Sequence, residues 1–303
     1  MLLMNGYDFT RKLAIFGLAL QICHTTASAA EFTIPEGVLF QRAVEYSNPD
    51  DQHLQLDLAR PKNSTAPAPA VLCIHGGGFR AGTRDGYDLL CLKLAQGGFV
   101  AATVTYRLAP KYQFPAAVHD VKAAVRWLRA HAAEYGIDPT RIGVTGDSAG
   151  GHLAQFLGVT AGISEFEGDG GSPEQSSAVS CVVNRYGPSD FTKSYDKSVD
   201  AAEVLPLFLG GDLEHSRLRH IRASPLNWVT PNSAPTLLLQ GTEDKYVAYE
   251  QAVWMRDRLQ ACGVEVRLLT LQGAGHGFKG EDAAKAEQAM IEFFEQHLGQ
   301  KRQ

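Results

Sequence analysis

The stretch RIGVTGDSAGGHLAQFLG, residues 141–158, passes from an apolar, β-branched run into a helix-forming one, with a serine at the junction. Gly146 and Gly150 stand two positions to either side of Ser148. A strand that turns sharply into a helix brings those two positions together, where side chains collide, and lifts the hydroxyl between them above the sheet edge. The same turn sets Ser148 at the positive end of a helix, which favours negative charge developing nearby. Gly-x-Ser-x-Gly is short enough to arise by chance, so its meaning depends on the rest of the chain.

Around it the sequence alternates between two periods. Residues 37–47 and 53–61 switch between apolar and polar side chains, as half-buried antiparallel strands do. After the Pro-rich connection NSTAPAPA (63–70), strands become continuous apolar runs: AVLCIHG (70–76), FVAATVTYR (99–107), RIGVTG (141–146), AVSCVVNRYG (178–187), TLLLQG (236–241) and VEVRLLTLQG (264–273). Helical spacing separates them, over 114–136 with Pro115 in its first turn, from the serine onward, over 248–262 and over 282–298. Runs buried on both faces and separated by helices predict an α/β fold, a mostly parallel central sheet flanked by helices on both faces. No linker divides residues 31–303, which read as one catalytic domain.

A serine hydroxyl needs a base, and in such a fold the base comes from a loop after a later strand. His276, in GAGHGF, follows the last strand. Asp244, in GTEDKYV, follows the strand before it, with Glu243 beside it as a competitor, and the resulting order Ser, Asp, His is that of a nucleophile-elbow hydrolase. The third piece is HGGGF (75–79), directly after a strand. Acyl transfer creates an oxyanion, and a backbone N–H aimed at it lowers the barrier by about 2.7–4 kcal/mol per donor. Consecutive glycines let the main chain approach that closely.

Together HGGGF, YRLAPKYQFPAAVHDVKAAVRWL, GDSAGGHLA, GPSDF, GTEDKYV and GAGHGF, spread over residues 75–278, resemble α/β-hydrolase esterases of the hormone-sensitive-lipase and feruloyl/acetyl-xylan-esterase-like (BD-FAE-like) group. The resemblance implies Ser148 as nucleophile, His276 as base and then acid, and Asp244 rather than Glu243 as its orienter. It further implies the N–H groups of Gly77, Gly78 and Ala149 as the oxyanion hole, with Asp147 supporting the loop of His75. Lipase-like members carry an N-terminal helical cap, whereas residues 31–74 here read as strands; a compact esterase is the better match. Residues 194–228 are the candidate partial cap, and Phe79, Val247 and Phe278, as neighbours of the motifs, are the candidate pocket walls. The expected substrate is a short-acyl or hydroxycinnamoyl ester, including one on plant polysaccharide. The alternatives are a serine peptidase of the oligopeptidase type, a lipase on longer acyl chains, and a hydrolase-fold binding protein, since fold alone does not establish activity. Oligopeptidases bring a propeller and lack the His-Gly-Gly-Gly loop.

Composition narrows the classes further. The 303 residues are 45% hydrophobic with a net charge of −5, and no Lys/Arg block exceeds a pair, so nothing builds the phosphate-tracking surface that nucleic-acid binding needs. No C-x-x-C, H-E-x-x-H or P-loop gives metal or nucleotide chemistry a foothold, and neither cofactor nor metal is expected. Residues 1–30 read as a secretory signal: Arg11 and Lys12, an apolar run over 13–23, then ASAA. That run falls short of the roughly 20 residues of a membrane span, and Ile22 before Cys23 disfavours a lipoprotein signal. Secretion or periplasmic export is therefore expected. Cys73, Cys91, Cys181 and Cys262 remain after cleavage, and they read as free thiols, since Cys73 and Cys181 lie inside apolar strands.

Overall fold

A computed structural model describes residues 32–299; the expected signal segment lies outside the described residues. Eight strands form one sheet: β1 (Val38–Ser47), β2 (Leu54–Pro61), β3 (Ala68–Ile74), β4 (Val100–Val104), β5 (Ile137–Asp147), β6 (Cys181–Arg185), β7 (Thr236–Gly241) and β8 (Val266–Leu271). Their order is β1-β2-β4-β3-β5-β6-β7-β8. The first two strands are antiparallel to their neighbours, and β3 to β8 run parallel. The split between alternating and continuous apolar runs in the sequence is this split in the sheet.

The helices are α1 (Asp88–Gln96), α2 (Ala116–Ala130), α3 (Ala132–Tyr135), α4 (Ala149–Val159), α5 (Ser164–Glu167), α6 (Ala201–Leu209), α7 (Arg217–Arg222), α8 (Glu250–Ala261) and α9 (Gly280–Leu298). Period-2 geometry sends alternate strand residues to opposite layers. On β3, Ala70, Leu72 and Ile74 join the core under α2 and α4, while Val71 and Cys73 join the one under α1 and α9. On β7, Leu238 packs toward Met255 and Leu259 of α8, between Leu237 and Leu239, which face α9. All of these are buried, so both faces are covered. The helix expected over 114–136 breaks at His131 into α2 and α3, ending on Gly136 in a left-handed conformation, φ 68°. Cys73, Cys91 and Cys181 are buried, Cys262 is partly so, and all four are free.

Where β2 meets the start of α1, two buried carboxylates lie side by side. Asp57 accepts from the Ala43 N–H and from Arg84, and Asp88 pairs with Arg42 at 2.6 Å. Among the described residues, one oxygen of each is left without a donor. Burial, with the neighbouring Asp57 charge, pushes the Asp88 carboxyl up to about 6 against the pull of Arg42. A carboxyl raised above its unfolded value of about 3.9 stabilises the fold while protonated and loses that contribution as pH rises through the folded value. The melting-temperature advantage of wild type over Asp88→Asn should therefore shrink between pH 4 and 7. A difference that stays constant across that range would remove the assignment.

Candidate active site

The parallel strands all point their carboxyl ends at one edge, and the chain order reverses there, with β4 on one side of β3 and β5 on the other. Crevices at such switch points are where open α/β sheets bind ligands. The loops after β3, β5, β6, β7 and β8 converge on this edge, bringing residues from 75 to 276 within contact of one another.

Ser148 sits between β5 and α4 at φ 52°, ψ −119°, a conformation that costs a non-glycine residue and persists only when its surroundings fix it. They do so through the backbone: its N–H donates to the Arg185 carbonyl at 2.9 Å, and its carbonyl accepts from the His152 N–H at 3.0 Å. The flanking glycines are obligatory, since a Cβ on Gly146 would lie 2.4 Å from the Gly150 carbonyl carbon and one on Gly150 2.0 Å from the Ile74 oxygen. The Ser148 hydroxyl is therefore held clear of the sheet, 3.0 Å from His276 Nε2.

His276 Nδ1 lies 2.8 Å from Asp244 Oδ2. A carboxylate only accepts, so Nδ1 carries the proton and Nε2 presents its lone pair to the serine hydroxyl. Asp244 is itself fixed, its side chain fully buried. Oδ1 accepts from the N–H groups of Tyr246 and Val247, both at 2.9 Å, and Oδ2 accepts from Gln240 Nε2 at 3.0 Å. Glu243 is exposed, which separates the two adjacent acids: one reaches the histidine and the other faces solvent.

Gly77 and Gly78, at φ 109° and 59°, line the same cavity as Ser148, Ala149 and His276. Asp147 Oδ1 accepts from the Gly76 N–H at 3.1 Å and from the Tyr87 hydroxyl at 2.7 Å, which ties the β3 loop to the residue before Ser148. The His75 ring stacks on Tyr106 at 4.3 Å between centroids, and Tyr106 donates to the His75 carbonyl. Burial holds this imidazole below the ordinary histidine range. His75 is part of the loop's foundation and is absent from the cavity wall. His152, in the same motif as the serine, is likewise structural: burial pushes it down to about 4, and its Nε2 is bonded to the Ala223 carbonyl at 2.7 Å.

The cavity measures about 430 Å³. Phe79 and Val247 line it; Phe278 does not, and packs instead on Tyr186 at 4.8 Å. Gly277 between His276 and Phe278 has φ 86°, and that left-handed turn carries Phe278 to the far side of the histidine. Further walls come from Phe191 and, within the candidate partial cap 194–228, from Ala201, Val204 and Leu205 of α6. The segment bearing α6 is tied down on several sides. Arg80 pairs with Glu203, Lys197 pairs with Glu250 at 2.6 Å, and the Val199 N–H donates to the Lys245 carbonyl at 2.9 Å. Gln251 anchors the approach to it, bonding Ser189, Asp190 and Ser194. In the sequence α6 falls inside the candidate partial cap 194–228, whose apolar run AAEVLPLFL does not say which face meets the site.

The family pattern BD-FAE matches residues 56–259, and one described as TAP-like protein matches residues 220–299. Esterase LipC of Mycobacterium tuberculosis (strain ATCC 25618 / H37Rv) is 36% identical over 245 residues, covering 78% of this chain and 60% of its own. Ethyl acetate hydrolase of Pseudomonas putida is 32% identical over 268 residues, 82% of this chain and 80% of its own. A solved structure, a truncated form of a carbohydrate esterase from gut microbiota, matches with a TM-score of 0.76 at 28% identity, covering 86% of this chain and 96% of that one. The chain thus spans less than two thirds of LipC. With the eight-stranded sheet and its helices, these matches show that the chain belongs to the BD-FAE family and has the α/β-hydrolase fold.

Proposed function

We propose that this chain is an exported serine carboxylic-ester hydrolase acting on short-acyl or hydroxycinnamoyl esters, including those carried by plant polysaccharide. The observation that carries this reading is the unbroken chain from Ser148 Oγ through His276 to buried Asp244, at 3.0 and 2.8 Å. Ser148 Oγ attacks the ester carbonyl while its proton passes to His276 Nε2. The carbonyl oxygen becomes an oxyanion facing the N–H groups of Gly77, Gly78 and Ala149. Collapse breaks the bond to the alcohol, which leaves with the His276 proton, and the acyl group stays on Ser148. Water, deprotonated by His276, then attacks the acyl-enzyme and releases the carboxylic acid.

The carbohydrate-esterase and ethyl acetate hydrolase relatives support the substrate class, and the cavity supports the acyl size. Apolar wall from Phe191, Val204 and Leu205 suits a short acyl group in about 430 Å³. Each methylene left outside forgoes about 0.8 kcal/mol of transfer free energy, so specificity should stop rising with chain length once the cavity is full. Acetyl to butyryl aryl esters should be turned over well, palmitoyl esters poorly, with methyl ferulate and acetylated xylan as the diagnostic additions. Because α6 is pinned on several sides, no rate jump is expected as substrate passes into droplets. A preference for acyl chains of ten or more carbons, or interfacial activation, would move the reading to a lipase. Export rests on the pattern of residues 1–30.

A further inference from the structure

His276 is gripped by aromatic rings on two sides. Tyr186 meets it edge-on, 4.8 Å between centroids with 66° between planes, and Tyr246 lies at 5.2 Å and 43°. Tyr246 is exposed and lines the acyl cavity. Tyr186 is buried and lines a second cavity of about 300 Å³, together with Arg185, Tyr87 and Asp147.

Tyr186 immediately follows β6 at φ 44°, a left-handed conformation that bulky residues rarely adopt. Its N–H donates to the Leu239 carbonyl at 2.8 Å, which fixes the backbone, yet its hydroxyl has no hydrogen-bond partner among the described residues. The ring itself is what the site uses. Arg185 is equally unusual: its guanidinium has no hydrogen-bond or ion-pair partner among the described residues and lies 5.9 Å from the Tyr186 ring and 6.0 Å from the Tyr87 ring. A cation within about 6 Å of a ring centroid is attracted to that ring. Tyr87 in turn donates to Asp147, beside Ser148, while the Arg185 carbonyl accepts the Ser148 N–H. One dipeptide therefore touches the serine through its backbone and the histidine through its ring.

We propose that Tyr186, locked in place by Arg185, is a positioning residue that fixes the plane of the His276 imidazole. The Asp244 bond holds one edge of the imidazole but permits rotation about its own axis. Rotation of that kind moves Nε2 away from the serine hydroxyl, and the Gly-rich loop supplies little else to resist it. Tyr186 closes that freedom on its side of the ring, and Arg185 keeps Tyr186 from turning into the second cavity.

This inference rests on the triad reading, so Ser148→Ala is the control. The test compares steady-state kinetics on a short aryl ester with the rate at which a fluorophosphonate labels Ser148. Tyr186→Ala should lower kcat by about 10- to 100-fold with KM within about twofold, because neither Tyr186 nor Arg185 lines the acyl cavity. Labelling should slow in parallel. Tyr186→Phe should restore kcat to within about threefold of wild type, and Arg185→Met should fall between the two. A kcat for Tyr186→Ala within about twofold of wild type overturns the proposal, as does a loss expressed equally in KM. If the alanine variant fails to fold, Arg185→Met decides alone, since it keeps both rings; unchanged kcat and labelling refute the role. An active Ser148→Ala refutes the triad instead, whereas an inert Ser148→Ala beside a fully active Tyr186→Ala refutes only the positioning.

Discussion

Ser148→Ala is expected to lower kcat by about four to six orders of magnitude, the range seen when a triad nucleophile is removed, and to leave the melting temperature essentially unchanged. The two halves of this expectation have separate structural causes. Among the described residues the hydroxyl bonds only to His276 Nε2, so its removal deletes the proposed attacking atom and nothing that supports the fold. The turn is held by backbone groups, the Ser148 N–H to Arg185 and the Ser148 carbonyl from His152, and alanine retains both. Alanine also bears the same Cβ at φ 52°, so strain is unaltered. Whatever rate remains should come from the oxyanion donors and from binding, about 10³- to 10⁴-fold over water. Circular dichroism, thermal melts and kcat on one protein preparation check all of this. Turnover near wild type, or organophosphate label mapped to another residue, would end the acyl-enzyme reading.

The parts of this molecule that sequence reveals are those where close approach leaves one choice of residue. Gly146 and Gly150 are legible because a Cβ at either meets backbone at 2.0–2.4 Å, and the eight strands because burial on one or both faces writes period 2 or a continuous run. Asp244 and Glu243 show the boundary. As adjacent acids after one strand they are equivalent in local pattern; the family resemblance favours Asp244, and the structure separates them by the three donors converging on Asp244, its contact with His276 and the exposure of Glu243. The cavity walls lie beyond that boundary. Val204 and Leu205 meet the β3 loop across more than 120 positions of chain, and Tyr186 meets His276 across 90, so no local period encodes either contact. Phe278 was misplaced for a local reason, a single left-handed glycine that reverses the side on which the next residue lands. Helix α1 was overlooked because DLLCLKLAQ is too short for helical periodicity to stand out from a buried run.

The second large effect is expected at Gly77, where Gly77→Ala should reduce kcat by about 100- to 1,000-fold, the cost of losing an oxyanion donor, with little change in KM. Gly77 has φ 109°, and a Cβ there would stand 2.2 Å from the Ala81 oxygen and 2.6 Å from the Ala81 carbonyl carbon. These are backbone atoms of a closed turn, in which the Gly77 carbonyl accepts from the N–H groups of Arg80 and Ala81 at 3.1 and 3.0 Å. Neither can move without opening that turn, and opening it swings the Gly77 and Gly78 N–H groups off the position proposed for the developing oxyanion. The acyl wall of Phe191, Val204 and Leu205 belongs to other segments and stays in place, which is why ground-state binding should survive. Gly78→Ala supplies the internal comparison. Its added Cβ, at φ 59°, would meet side chains and no backbone, Val204 at 3.4 Å and Arg80 at 3.9 Å, so the loop has less reason to open and the loss should be smaller. Kinetics on a short aryl ester, run beside the two variants' rates of organophosphate labelling, separate a displaced donor from a blocked cavity: a displaced donor slows both reactions at constant KM. If Gly77→Ala keeps kcat within about threefold of wild type, the stabilising N–H groups lie elsewhere than on the loop after β3.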